Sequence, residues 1–223
     1  MDWPAFLLSL SLAFWTMAIL LPLAVIASRW LALTRSAARP WIEAASALPL
    51  VLPPTVVGYY LLVALGAQSP LGTAFESLIG RTLAFSFPGL VFASLIVNVP
   101  FAIQPMQRAF AAIPLEVREA AQCCGLTRWQ AFARVELPLA WPGLLSAAVL
   151  VFAHTLGEFG VVLMVGGNIP GETRTVAVSI YDRVQAFDTA SAGTMSLALL
   201  AISFATVAVA YVLSDRLVPK ATR

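Results

Sequence analysis

His154 and Glu158 are the residues of this 223-residue sequence whose type and spacing point most directly to chemistry. They stand four apart within an apolar run, which places them on one face of a helix. An ionisable pair inside a hydrophobic span is a candidate proton relay or gate. It can also tie helices together across a dimer or line a wet cavity, and this structural role is favoured because a lone pair is little equipment for a proton-driven pump. Gly157 and Gly160 beside the pair let another backbone approach closely. Inventory excludes other chemistry. Lys220 is the only lysine, so no Gly-x4-Gly-Lys-Ser/Thr loop exists and the chain does not hydrolyse ATP itself. One histidine and two adjacent cysteines offer no zinc spacing, so no metal site is expected, and Asp2, Asp182, Asp188 and Asp215 lie outside the apolar runs. An enzyme is not expected.

The elements that must position the pair are membrane spans. The sequence is 60% hydrophobic and 11% charged with a mean hydropathy of +0.89, far from the balance of a soluble domain. A bilayer core of roughly 30 Å takes about 20 apolar residues in a helix, because peptide groups in lipid must be hydrogen-bonded within the segment. Five runs qualify: Phe6 to Ser28, Ala47 to Ala67, Leu83 to Ile103, Leu139 to Gly166 and Ala190 to Ser214. The first is too long for a cleaved signal, carries Asp2 where a basic region should stand, and ends at a boundary-like Arg29-Trp30. The expected fold is an all-α integral membrane protein, a single transmembrane domain over residues 1–223. Pro53 and Pro54 interrupt the second run and Pro88 and Pro100 the third. Such breaks either kink helices for packing or line a water-filled path.

Basic residues set the expected orientation, since Lys and Arg accumulate in short cytoplasmic loops. Arg29, Arg35, Arg39, Arg108, Arg118, Arg128, Arg134, Arg216, Lys220 and Arg223 fall on one side, and Arg81, Arg174 and Arg183 on the other. The first group is cytoplasmic, with the amino terminus outside and the carboxyl terminus inside, and Trp30, Trp41 and Trp141 near the inner boundary. This excess is a topology determinant, not a nucleic-acid surface. Cys123 and Cys124 fall on the reducing side, and neighbouring cysteines cannot reach ordinary disulfide geometry without strain, so they read as small packing residues.

One cytoplasmic interval, Pro114 to Gly143, is unlike the rest. Val117, Ala120, Ala121 and Cys124 fall at helical spacing, Gly125 is a helix stop, and Thr127 can cap a second helix carrying Trp129, Phe132 and Val135, which Pro138 then ends. Such a hairpin has too few apolar residues to stand alone and must dock, on the protein's own inner surface or on a partner.

The run Glu119-Ala120-Ala121, three residues, Gly125, nine residues, Val135, one residue, Leu137-Pro138 resembles the E-A-A-x3-G-x9-I-x-L-P signature of permease subunits of ATP-binding-cassette importers, with Val135 in the Ile position. The segments LPLVLPPTVVGYYLLVALG (Leu48 to Gly66) and LGEFGVVLMVGGNIPGETRT (Leu156 to Thr175) are similar to the molybdate-type members, over nearly the whole chain. His154, where such members are expected to carry Arg, and the Cys123-Cys124 pair are departures.

The resemblance implies a type I importer permease fold: five spans with a coupling helix between the third and fourth, in a loop over about residues 108–138. Glu119, Ala120, Ala121, Gly125, Leu137 and Pro138 would meet a separate cytoplasmic ATPase, present in two copies and holding the ATP and magnesium that this chain does not bind. It further implies a homodimer in the inner membrane, because an odd span count excludes an internal inverted repeat and two copies are needed to enclose a path. Spans two to five would line that path, with His154, Gly157, Glu158, Gly160, Pro53 and Pro54 near a gate. Asn168, Glu172 and Arg174, in the outer segment Gly166 to Asp188, would meet a soluble oxyanion-binding protein. The outer face carries a net −2, so delivery by such a protein must bring the anion in. Sulfate or tungstate import, a proton-coupled secondary transporter using His154 and Glu158, and a scaffold without transport are the alternatives.

Overall fold

The computed structural model describes residues 1–217; Lys220, Arg223 and the carboxyl terminus, assigned above to the cytoplasm, lie outside the described residues. All regular structure among them is helical: α1 (Trp3–Leu33), α2 (Arg39–Val51), α3 (Pro54–Leu65), α4 (Pro70–Ile79), α5 (Phe87–Ala111), α6 (Leu115–Cys123), α7 (Arg128–Ala131), a π-helical turn (Phe132–Glu136), α8 (Leu137–Leu139), α9 (Trp141–Gly157), α10 (Gly160–Gly166), α11 (Val176–Gln185) and α12 (Thr189–Leu217). Three helices, α1, α5 and α12, are each long and apolar enough to cross a membrane. Two bent pairs, α2 with α3 and the run Arg128–Leu139 with α9, pass the same test jointly, which allows up to five crossings.

The breaks have local causes. Between α2 and α3 the chain turns by 109°, with Leu52 and Pro53 extended at ψ 141° and 135°. Neither Pro53 nor Pro54 has an N–H to continue the α2 ladder, and the residue before a proline is pushed out of the helical region. The second run is therefore broken where its prolines predict.

The third run differs from expectation. Its helix is α5, which starts at Phe87 because Phe85 is left-handed (φ 61°) and the Ser86 hydroxyl accepts from the Gly89 N–H. Pro88 opens this helix and does not interrupt it, since an N–H in the first turn has no partner to lose. Pro100 lies inside α5, which runs on to Ala111.

The fourth run is also corrected: it is not one helix from Leu139 to Gly166. The first part, α9, ends at Gly157; Glu158 is extended at ψ 123°, and α10 restarts at Gly160. Nor does Pro138 end the hairpin's second helix. The preceding turn is π-helical, with the Leu137 N–H bonded to Phe132 O five residues back. That wider turn carries the Arg134 carbonyl away from the proline ring, which would strike it in a regular α-helix.

The core lies where α1, α5 and α9 meet. Leu20, Ala24 and Leu31 pack on Ala102, Ile103, Met106, Ala147 and Val151. A second cluster joins α3, α5 and α10 through Val57, Leu65, Ala93, Val97, Val161 and Val165. The amino-terminal end of α1 is fixed by polar contacts: Asp2 accepts from Ala5 N–H and from the Ser179 hydroxyl of α11, and the Val176 N–H donates to Ser9 Oγ.

Candidate functional site

The two helix breaks meet. A Cβ added at Gly160, the first residue of α10, would stand 2.8 Å from Pro54 Cβ at the start of α3. Gly58, one turn along α3, lies as close to α10: its Cβ would be 2.8 Å from Met164 Cβ and 3.2 Å from Val161 Cα. Both distances are below ordinary contact, so this approach requires glycine on each helix. Of the two glycines expected to admit a neighbour, Gly160 does so; a Cβ at Gly157 would meet nothing within 4 Å among the described residues. Pro53, Pro54, Glu158 and Gly160 thus gather at one junction of four helix ends.

His154 and Glu158 remain together although the helix ends between them. Glu158 Oε2 is 3.6 Å from His154 Nε2, while its Oε1 accepts from the Val161 N–H at 2.9 Å. The carboxylate therefore satisfies one of the free N–H groups that open α10. The imidazole stacks on Phe101 with centroids 4.1 Å apart. Its Nδ1 lies 3.2 Å from Oδ1 of Asn98, a fully buried residue that the sequence analysis passed over. Asn98 Nδ2 donates to the Ser94 carbonyl at 2.8 Å and to Thr155 Oγ1 at 3.1 Å. A carbonyl can only accept, which fixes the amide orientation and leaves Oδ1 facing the ring. His154 Nδ1 must then be the donor, and Nε2 is the nitrogen turned toward Glu158. Thr16 of α1 joins through Ser94 Oγ at 2.9 Å, so a buried polar chain runs from α1 across α5 to α9. The available signal was Asn98 itself, a single amide within Leu95–Val99.

The hairpin between α5 and α9 has two surfaces. Phe132, Ile113, Phe110 and Ala140 bury together beneath it, with Val117 and Leu137 half-buried against them. Of the expected apolar face of α6, Val117 and Ala121 turn inward, whereas Ala120 and Cys124 are exposed beside Glu119. Gly125 has φ +78°, the left-handed conformation that suits a helix stop, and Thr127 with Gln130 forms a reciprocal capping box at α7. Trp129 is 72% exposed, Pro138 is exposed and Leu137 is half-buried.

A buried carboxylate holds this hairpin to the spans. Glu136 is only 3% exposed. Arg29, near the carboxyl-terminal end of α1, pairs with it in a bidentate fashion, Nη2 to Oε1 at 3.0 Å, and lies 5.2 Å above the Phe132 ring. Arg118 of α6 approaches the same carboxylate at 3.9 Å and donates to the carbonyls of Phe110 and Ile113. In the sequence these three charges read only as cytoplasmic loop residues. Their grouping depends on α1 returning beside residue 136, which no local pattern encodes.

In the 166–188 segment, Asn168 and Arg174 are not free. Arg174 Nε donates to Asn168 Oδ1 at 2.6 Å, and Asn168 Nδ2 to Asp182 Oδ2 at 2.6 Å. The buried Thr173 hydroxyl donates to Gly166 O and accepts from the Ile169 N–H, closing the loop. Glu172 is exposed at its tip. Beyond it Asp188 accepts from Ser191, and that hydrogen bonding holds its carboxyl below the usual range.

Comparison with known proteins agrees with this architecture. Residues 20–223 match the family described as binding-protein-dependent transport system inner membrane component. The molybdenum transport system permease protein ModB of Azotobacter vinelandii is 48% identical over 203 residues, 91% of this chain and 90% of the relative. Its namesake in Escherichia coli K12 is 35% identical over 184 residues, 82% and 80% of the two chains. A probable sulfate transport system permease protein, cysT of Chlorella vulgaris, is 32% identical over 168 residues, 75% of this chain and 63% of the relative. Among solved structures, a bacterial ABC transporter involved in import of the polysaccharide alginate superposes with a TM-score of 0.78 at 19% identity, covering 97% of this chain and 79% of that one. The MetNI methionine ABC transporter gives 0.71 at 17%, covering 98% and 94%. The importer-permease fold expected from the hairpin signature is the fold observed. The chain belongs to the family of binding-protein-dependent transport system inner membrane components.

Proposed function

We propose that the chain is the membrane-spanning subunit of an ATP-driven importer and that it passes molybdate delivered by a soluble extracytoplasmic binding protein. The observation that carries the importer reading is the divided hairpin: one surface is buried on the spans, and the other presents Glu119, Ala120 and Gly125 outward. A loop built only to connect helices has no need of that second surface. It is the shape expected of an element that docks on a separate ATPase. Two ATPase copies bind ATP and magnesium, and this chain binds no cofactor.

Two copies of the chain enclose the path. Each supplies a single transmembrane domain with five crossings, the second and fourth broken at the Pro54–Gly160 junction. The amino terminus lies outside and the hairpin in the cytoplasm. Glu172 and neighbouring parts of the 166–188 segment meet the binding protein, while the junction of Pro53, Pro54, Glu158 and Gly160 with His154 lies beside the path. Broken helices are tolerated at membrane depth where the freed backbone is buried or lines a cavity.

Molybdate rests on relatedness: relatives at 48% and 35% identity carry that name, whereas the sulfate relative is matched over only 63% of its length. Sulfate import is the second reading. The deciding experiment is uptake into proteoliposomes holding the permease, its ATPase and its binding protein. ATP-dependent molybdate uptake, competed by tungstate and weakly by sulfate, is expected; uptake without the ATPase would favour a secondary transporter.

A further inference from the structure

Two neighbouring cavities lie between the carboxyl-terminal part of α1 and the hairpin. The larger, about 590 Å³, is walled by Ile26, Trp30, Trp129 and Phe132. Ile26 is 67% exposed on α1, and Trp129 closes the opposite wall from α7. The smaller, about 300 Å³, is lined by Arg29, Arg118, Gln122, Arg128 and Glu136. Arg29, Leu33 and Arg128 line both, so the two form one continuous groove.

The groove is apolar at one end and cationic at the other. Three guanidinium groups face one carboxylate in the polar half. Arg29 is held by Glu136, and the two Nη atoms of Arg118 by backbone carbonyls, while the buried Nε of Arg118 faces Glu136 Oε1 at 3.9 Å. Arg128 is exposed. Three guanidinium groups against one carboxylate leave the pocket with excess positive charge, which suits it to an anionic oxygen from outside the chain.

We infer that this groove binds an anionic phospholipid of the inner leaflet, its phosphate between Arg128 and Arg118 and an acyl chain along Ile26, Trp30, Trp129 and Phe132. Position selects a lipid over a soluble anion. The apolar half begins on a span and is flanked by two indoles at the inner boundary, where interfacial tryptophans sit. A free phosphate would leave about 590 Å³ of apolar wall unfilled. Anionic headgroups on that side are attracted by clustered arginines at about 1 kcal/mol each, or about fivefold in affinity. The occupant would also brace the hairpin, because its two ends touch α1 and α7. The site rests on the chain's membrane orientation but not on its substrate.

The test uses the full chain in mixed micelles with brominated phosphatidylglycerol or brominated phosphatidylcholine, reading tryptophan quenching. The component lost on Trp129→Phe isolates the groove from the other indoles. That component should report severalfold tighter binding of phosphatidylglycerol than of phosphatidylcholine, and Arg128→Gln should reduce the preference about fivefold. Inorganic phosphate at millimolar concentration should not displace the lipid. Three results overturn the inference: equal quenching by both lipids, displacement by phosphate alone, or loss of Trp129 quenching on adding the ATPase, which would assign the groove to that partner. Should molybdate uptake fail while the lipid preference holds, the transport reading falls and the lipid site stands.

Discussion

Pro54 and Gly160 are in van der Waals contact across two helix breaks, closely enough that a Cβ on Gly160 would stand 2.8 Å from Pro54 Cβ. Each residue belongs to the first turn of a helix that restarts after a break. The contact therefore sets the distance between the breaks.

Gly160→Val should force these helix ends apart. Inserting a side chain into such a contact costs roughly 1–3 kcal/mol. We expect a lower thermal unfolding temperature in detergent and impaired uptake, with Gly157→Val milder because a Cβ there meets nothing nearby. Equal effects at the two positions would contradict the junction.

Removing Glu136 leaves Arg29 and Arg118 without their shared carboxylate. Breaking a buried pair costs roughly 3–5 kcal/mol, and the low end applies because the Arg29 side chain is 31% exposed. Glu136→Leu should destabilise the chain in denaturant titrations, and Arg29→Met added to it should recover part of the loss.

In the hairpin, Gly125→Val should cost about 1–2 kcal/mol from the left-handed backbone alone, since a Cβ there meets nothing within 4 Å. Glu119→Ala removes an exposed charge and should leave folding within about 1 kcal/mol of the parent. It should nevertheless reduce ATPase copurification and uptake. Unchanged copurification and uptake in both variants would reduce the hairpin to a connector.

Cys123 and Cys124 are exposed on that same hairpin. An impermeant thiol reagent should label them in inside-out vesicles and not in intact cells. Labelling of intact cells would reverse the proposed orientation.

The chain has a single histidine, so 15N labelling of histidine alone reports His154 directly. Asn98 Oδ1 requires a proton on Nδ1, and the spectrum should show Nδ1 protonated. Asn98→Leu removes that acceptor and should release the preference toward Nε2. An Nε2–H tautomer in the parent would mean the Asn98 amide is turned the other way.

How much of this was legible follows from the range of each signal. Spans announce themselves through composition, because lipid demands about twenty apolar residues in a row whatever their neighbours. The stop at Gly125, the cap at Thr127 and the break at Pro53-Pro54 were readable because each acts within four residues on its own backbone. The break at Glu158 was not: Gly157, Phe159 and Gly160 permit a continuous helix as readily as a broken one, and the choice falls to Pro54 and Gly58 of α3 packing against α10. Asn98 and Glu136 were likewise invisible as site residues. A buried polar group is tolerable only when its partners are present, and those partners, Thr155 and His154 for one and Arg29 and Arg118 for the other, arrive from distant sequence. The sequence by itself determined the apolar runs, the stop at Gly125 and the family; only the tertiary structure decided where the fourth run breaks, which helix ends meet and which charges are buried, because contacts between remote segments depend on the packing of the whole bundle.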